Sequence, residues 1–461
     1  MNLRIPRIEL RRSVAPWAGV VVLVSALAFL HLVSGAWAKG PTRWTGQWTS
    51  MALWTRHLLL FLWPLAVGLG ALQGLREPRS GISELLATTP RPAWHRAAAL
   101  AGTTAFALVS AFALLVLLGA VRVLAGDATY THLGWLPISL VGALALAAGA
   151  VLGMGVARAL PSVLTPPALA VAAFLLSSVL RQTAEDAVPT SAVPNRLSLL
   201  APAVADVRET LLTLSVPVHL GQTLWLLGLA ATGLALLAAA TPRARLLALT
   251  PLVAGGAVAA LVLPADPRDT YVIDRAAAAR VCEGAVCVTT AQRARLDDLA
   301  GPGAEALRLL RGALGDRAPV AIHEATDLRG HFATPRRLRD TVLIDFEDRT
   351  IGDARGERLT RALVAQGLAP LCVPRSDTVS GTLEETVAQS VAAAWVFGDG
   401  VRPLDGTMHT VRHQAEAARP VWRTFSALPT GEQRRRIAAL HSAAFSCSGD
   451  PLAALTGGAS R

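Results

Sequence analysis

The sequence predicts an all-α polytopic membrane bundle of about seven helices, followed by a soluble α+β extracytoplasmic domain. Three observations predict it. Long apolar segments fill residues 1–263, with almost no charge inside any of them. Residues 264–461 are polar, charged and interrupted. All four cysteines, Cys282, Cys287, Cys372 and Cys447, lie in that second part. The 52% hydrophobic content and mean hydropathy of +0.45 exceed those of an ordinary soluble domain.

A run of roughly 18 apolar residues crosses the hydrocarbon core of a bilayer as a helix. Seven segments qualify: Val14–Ala36, Leu58–Leu75, Ala97–Val121, Leu133–Ala157, Ala159–Leu180, Leu220–Ala240 and Leu246–Leu263. Their interiors contain no Asp, Glu, Lys or Arg. The first resembles a signal peptide, with a small-x-small site at Ala36-Trp37-Ala38. Its apolar run exceeds the usual signal length, so it reads as an uncleaved anchor. Gly70 with Gly74, and Gly149 with Gly153, form Gly-x-x-x-Gly pairs that let helix backbones approach closely. Pro64, Pro166, Pro167 and Pro251 kink their helices or mark their ends.

The net charge of +11 is a topology signal, because residues 264–461 balance 25 Arg against 24 Asp and Glu. It is not a nucleic-acid footprint. The loops at Met1–Ser13, Arg76–Arg96, Arg158–Ser162 and Thr241–Arg245 are rich in Arg, while Trp37–His57, Arg122–His132 and Arg181–His219 are poor in basic residues. Cytoplasmic loops keep the basic excess, so the N-terminus lies inside and seven crossings put the C-terminal domain outside. An even cysteine count confined to one exported domain suggests two disulfides; the alternative is four buried free thiols. Cys282–Cys287 is the local pair, leaving Cys372–Cys447. The Arg, Ala and Leu bias reads as that of a GC-rich bacterium, and so as a multi-pass protein of a bacterial plasma membrane.

The exported domain alternates strand-like and helix-like runs. The strand-like runs are Thr270–Asp274, Ala285–Thr290, Pro319–His323, Thr341–Phe346 and Leu371–Val373. The helix-like runs are Ala304–Leu314, Gly356–Gln366, Leu383–Phe397, Met408–Ala418 and Glu432–Ala444, with Thr430 and Gln433 as a capping box for the last. Catalytic motifs are missing. A zincin needs His-Glu-x-x-His, and the nearest match, His323-Glu324-Ala325-Thr326-Asp327, lacks the second His. His409 and His413 stand at i, i+4 as a lone pair that reads as a solvated face. No Gly-x-Ser-x-Gly elbow is present. The expectation is no enzyme, no metal and no cofactor in this chain.

The membrane half has no energy source of its own. Ion-coupled transporters usually hold carboxylates or histidines within the bilayer. A P-loop needs a lysine after its glycines, and the only lysine is Lys39, in Ala38-Lys39-Gly40-Pro41. The loop between the second and third segments offers something else. Ser80 reads as a helix N-cap, Ile82, Leu85 and Leu86 share one face, and Pro90 ends the helix. By itself this is an amphipathic helix on the inner membrane surface.

The pattern Glu77, Gly81, Glu84-Leu85-Leu86 and Pro90, in that position, resembles the coupling loop of ABC-type export permeases. Glu9-Leu10-Arg11-Arg12-Ser13 is similar to the amphipathic N-terminal segment of that superfamily. Pro202–Leu214 reads as an amphipathic helix where family members place external gating helices. The resemblance covers about residues 1–240. It implies a permease subunit of an ATP-driven exporter, with ATP bound by a separate cytoplasmic ATPase subunit. The partners would be that ATPase, a second permease copy or paralogue, and the lipid bilayer, with no nucleic acid. A seventh segment and an exported domain depart from the family's six-helix core. Two other readings stand beside it: a membrane-anchored extracytoplasmic sensor or interaction protein, and a tethered, degenerate peptidase-like domain.

Overall fold

The computed structural model describes residues 15–32, 43–76, 93–126, 128, 130–180, 193–204, 210–327, 335–373 and 381–457. The chain divides into two compact units. One runs to Val272, and the other takes Ile273 onward with a short piece around Tyr130. The sequence placed this division after Leu263. The residues that follow stay with the first unit because Asn195 Nδ2 donates to the carbonyls of Pro264 and Asp266 and to Thr270 Oγ1, at 3.0, 3.3 and 3.2 Å.

The first unit is a bundle of apolar helices. They are α1 (Ala15–Leu32), α2 (Trp48–His57), α3 (Leu59–Gly74), α4 (Ala93–Leu124), α5 (Trp135–Ala159) and α6 (Thr165–Leu180). The short α7 (Asn195–Ser198) and strand β1 (Leu212–Leu214) precede α8 (Val216–Ala238), α9 (Pro242–Leu247) and α10 (Thr250–Val262). Among the described residues, α1, α4, α5, α8 and the run Pro242–Val262 are each long and apolar enough to cross a membrane. The pair α2–α3, bent by 50°, makes up to six. The sixteen-residue α6 is apolar but shorter, so the expected seven crossings reduce to five or six by this measure. Part of Pro202–Leu214 also departs from the expected helix: Leu212–Leu214 is extended and pairs with β2 (Tyr271–Ile273).

The second helical stretch was expected to start at Leu58. It starts ten residues earlier, at Trp48. Met51, Leu53 and Trp54 are buried there, and the helix carries Arg56 with it. Arg56 lies outside the charge-free segment Leu58–Leu75, in the last turn of the added helix.

Glycine sets the spacing of the central helices. A Cβ on Gly70 of α3 would lie 2.1 Å from Ala150 O of α5, and one on Gly74 2.5 Å from Met154 O. From the other side, a Cβ on Gly153 would lie 2.1 Å from Val67 O, and one on Gly149 2.7 Å from Trp63 Nε1. Both Gly-x-x-x-Gly pairs therefore meet across one interface. Only hydrogen fits between these backbones, which lets packing replace the absent hydrophobic drive within a membrane.

The second unit is α+β. Strands β3 (Arg280–Glu283), β4 (Val286–Thr289), β5 (Ala321–Glu324) and β6 (Thr341–Ile344) form one sheet in that order. β3 and β4 are an antiparallel hairpin, while β4, β5 and β6 run parallel. α11 (Leu296–Leu314) crosses from β4 to β5. The short α12 (Arg349–Gly352) leads into α13 (Gly356–Leu368), α14 (Leu383–Phe397), α15 (Val411–Ser426), α16 (Thr430–Ser446) and α17 (Pro451–Thr456). Their apolar faces bury Leu299, Ile322, Leu363, Val391, Phe425 and Leu440 in one core.

Several local readings need correction. Leu371–Val373 is not a strand. β3 was not anticipated, because Cys282 and Glu283 are exposed and give no apolar alternation. α11 begins before Pro302 rather than after it and carries Pro302 inside, as its seventh residue, at the cost of one backbone hydrogen bond. The capping box belongs to α14, where Thr382 Oγ1 accepts from Glu385 N and Glu385 accepts from Thr382 N. α16 has Pro429 at that position and no side-chain cap. His409 precedes α15, which Thr410 caps, so the two histidines do not share a helix.

Candidate functional site

An ionisable side chain inside a membrane bundle marks a functional site by default, because burying it is expensive. Arg56 meets that description: it is fully buried. It ends α2 just before the bend at Leu58. Its Nε and one terminal nitrogen donate to Pro202 O at 3.0 and 2.7 Å. That terminal nitrogen also donates to Gln222 Oε1 of α8 at 2.7 Å, and the other reaches Ile138 O of α5 at 3.3 Å. Gln222 Nε2 in turn donates to Leu199 O and Ala201 O, at 3.0 and 3.1 Å.

Gly142 of α5 makes the room. A Cβ there would lie 3.0 Å from Arg56 Cδ and 2.8 Å from Phe112 Cζ. The set contains carbonyl and amide acceptors, and no ion pair to Arg56 occurs among the described residues. The planar guanidinium fork suits several fixed acceptors at once. What the cluster does is mechanical: it ties α2, α5 and α8 to the segment around Pro202. Sequence reading missed Arg56 because it stands near the end of the Trp37–His57 loop, just before the apolar run from Leu58. The aromatic-rich Trp48–Trp54 stretch ahead of it was the available signal.

Replacing Arg56 by Met removes every donor and leaves Pro202 O and Gln222 Oε1 unpaired. Each unmet buried acceptor costs roughly 1–3 kcal/mol. R56M is expected to lower the melting temperature in detergent and to speed hydrogen exchange in residues 195–204. R56K, with one compact ammonium, should fall between R56M and wild type.

The other expected site residues sort into three groups. Glu77, Gly81, Glu84, Leu85, Leu86 and Pro90 lie outside the described residues. Gly70, Gly74, Gly149 and Gly153 meet at the α3–α5 interface. The cysteines are bonded as Cys282–Cys287 and Cys372–Cys447.

In the second unit, the carboxyl ends of the parallel strands gather acidic groups. Glu324, at the end of β5, is buried, and its Oε2 accepts from Thr289 N at 2.6 Å. Burial pushes its pKa up to about 8, against the Thr289 hydrogen bond and reinforced by Asp345 and Glu347. His323, its neighbour in the near-miss zincin motif, is held below the ordinary histidine value by burial and by Arg280. Among the described residues, no group of three or more His, Cys, Asp or Glu is arranged to hold a metal ion. Elsewhere, buried Arg361 of α13 pairs with Asp399 and lies over the Phe397 ring at 4.2 Å, which fixes α13 to the end of α14.

No protein-family model, no curated protein and no solved structure matches this chain.

Proposed function

We propose that the chain is the membrane-embedded permease subunit of an ATP-driven export system, energised by a separate cytoplasmic ATPase. The observation that carries this reading is the loop between α3 and α4, with Glu77, Gly81, Glu84-Leu85-Leu86 and Pro90 in the order of a coupling helix. A helix offering Leu85 and Leu86 beside Glu84 suits a groove on another protein. The chain has neither a P-loop lysine nor carboxylates within its apolar segments, so its energy comes from a partner. A second permease copy or paralogue completes the path.

The orientation follows from arginine. With the shorter apolar α6 counted as a crossing beside the six longer candidates, the N-terminus is cytoplasmic, seven segments cross a bacterial plasma membrane, and the C-terminal domain lies outside. In that orientation the Arg56 cluster sits at the outer end, where α5 and α8 begin. Its hold on the segment around Pro202 supports a role as the outer gate.

The test is co-purification. Gentle detergent extraction of the wild-type chain is expected to bring down a cytoplasmic ATPase. Changing Leu85 and Leu86 together to Asp should release it while the helices remain inserted. An extract with no ATPase, or a double variant that holds it as well as wild type, overturns the permease reading and leaves the sensor in its place.

A further inference from the structure

The two disulfides sit in different chemical surroundings. Cys282 and Cys287 pair across the β3–β4 hairpin, and no guanidinium hydrogen bond reaches either sulfur among the described residues. Cys372 and Cys447 join distant parts of the chain, 75 residues apart. Cys372 follows α13, and Cys447 closes α16 in a left-handed conformation with a φ of 48°. Here one terminal nitrogen of Arg337 donates to both sulfurs, to Cys372 Sγ at 3.3 Å and to Cys447 Sγ at closer range. Neighbouring Arg336 is committed to Asp327 at 3.2 Å, whereas no carboxylate pairs with Arg337 among the described residues. Cys447 is exposed and Cys372 half-buried. A cavity of about 60 Å³ borders both cysteines, with Gly449 and Pro451 on its rim.

These features bear on thiol–disulfide exchange. An attacking thiolate needs access to one sulfur, and the other must leave as a thiolate. A cation beside the leaving sulfur stabilises that thiolate and lowers the pKa of its thiol. Exposure selects Cys447 as the sulfur attacked. Arg337 then stands beside Cys372 as it departs. One nearby carboxylate works against it: Glu385 accepts from Cys372 N at 2.8 Å and from Val373 N at 3.3 Å. Glu385 is already held by those amides and by Thr382 N, which disperse its charge.

We propose that Cys372–Cys447 is a thiol–disulfide exchange site, opened by a dithiol reductant that attacks Cys447 Sγ. A thiolate of the reductant forms a bond to Cys447 Sγ, the Cys372–Cys447 bond breaks, and its electron pair leaves on Cys372 as a thiolate beside Arg337. The second thiol of the reductant, deprotonated, attacks its own sulfur in the mixed disulfide and releases Cys447. Cys372 and Cys447 take up the two protons. The protein disulfide is reduced to two thiols, and the dithiol is oxidised to a disulfide. The product is a second unit whose α16 end is no longer tied to the segment after α13.

The experiment uses the full chain in detergent. Dithiothreitol opens the bonds under pseudo-first-order conditions, and alkylation at each time point followed by peptide mapping gives a separate rate for each disulfide. R337M is expected to slow opening of Cys372–Cys447 by roughly three- to tenfold, because the departing thiolate loses its adjacent cation. It should leave Cys282–Cys287 unchanged, and R337K should restore part of the rate. Equal rates in R337M and wild type overturn the proposal, as does an equal slowing of both disulfides. A second measurement needs no variant. Glutathione, which lacks a second thiol, is expected to be trapped on Cys447. Its capture on Cys372 instead reverses the assignment of attacked and leaving sulfur and also overturns the proposal.

Discussion

Replacing Glu324 by Gln is expected to stabilise the second unit at pH 8 and to remove most of its pH dependence between pH 5 and 8. The carboxyl is buried at the end of β5, beside Asp345 and Glu347. Its pKa of about 8 in the folded chain stands well above the unfolded value near 4.5. Between those values the folded state holds a proton that the unfolded state has lost. Stability from this group is therefore fully present below about pH 4.5. It declines as pH rises, and it is lost once pH passes about 8. Since a tenfold change in a protonation equilibrium corresponds to about 1.4 kcal/mol, the whole change is of order 5 kcal/mol. Glutamine keeps the oxygen that accepts from Thr289 N and carries no charge to desolvate. Thermal unfolding of the two proteins across pH 5–9 measures it. A wild-type profile that rises toward pH 8, or an E324Q profile that tracks wild type, is the contrary result.

Changing Cys372 and Cys447 together to Ser is expected to cost the second unit on the order of 4 kcal/mol, because the bond closes a long loop in the unfolded chain. The matching change at Cys282 and Cys287, which encloses only a tight hairpin, is expected to cost markedly less, since loop entropy grows with length. Denaturant unfolding of both double variants decides this. Equal losses would mean that contacts within the folded state, rather than the unfolded chain, set the contribution. The same loss bears on the exchange site, because a bond with this effect on stability makes its opening a structural event.

Much of this architecture was legible along the chain because its signals are local. An uninterrupted apolar run has to be a helix inside a bilayer, since no water satisfies its amides. The two-unit division, the helices at Gly356 and Leu383, and the strands at Val286, Ala321 and Thr341 all carry their apolar pattern within a few residues. The cysteine pairing was accessible by elimination once one pair was adjacent. The Gly-x-x-x-Gly spacing announced close helix approach, and Gly70, Gly74, Gly149 and Gly153 meet at one interface. The coupling-loop residues remain a sequence reading, because they lie outside the described residues.

What only the tertiary structure decided involves partners far apart in the chain. Arg56 looked like the charged end of an exposed loop. Carbonyls at Ile138 and Pro202 and the Gln222 amide, up to 166 residues away, allow its burial. Glu324 looked like half of a failed zinc motif, yet burial in the folded unit raises its pKa, against the Thr289 hydrogen bond and with Asp345 and Glu347 adding to it. Arg337 stands in the basic run Arg336-Arg337-Leu338-Arg339, and folding places it on a disulfide whose halves lie 35 and 110 residues away. Periodicity reports which face of a segment avoids water. It carries no information about which distant donor meets which acceptor, and those meetings decide where a charge can be buried.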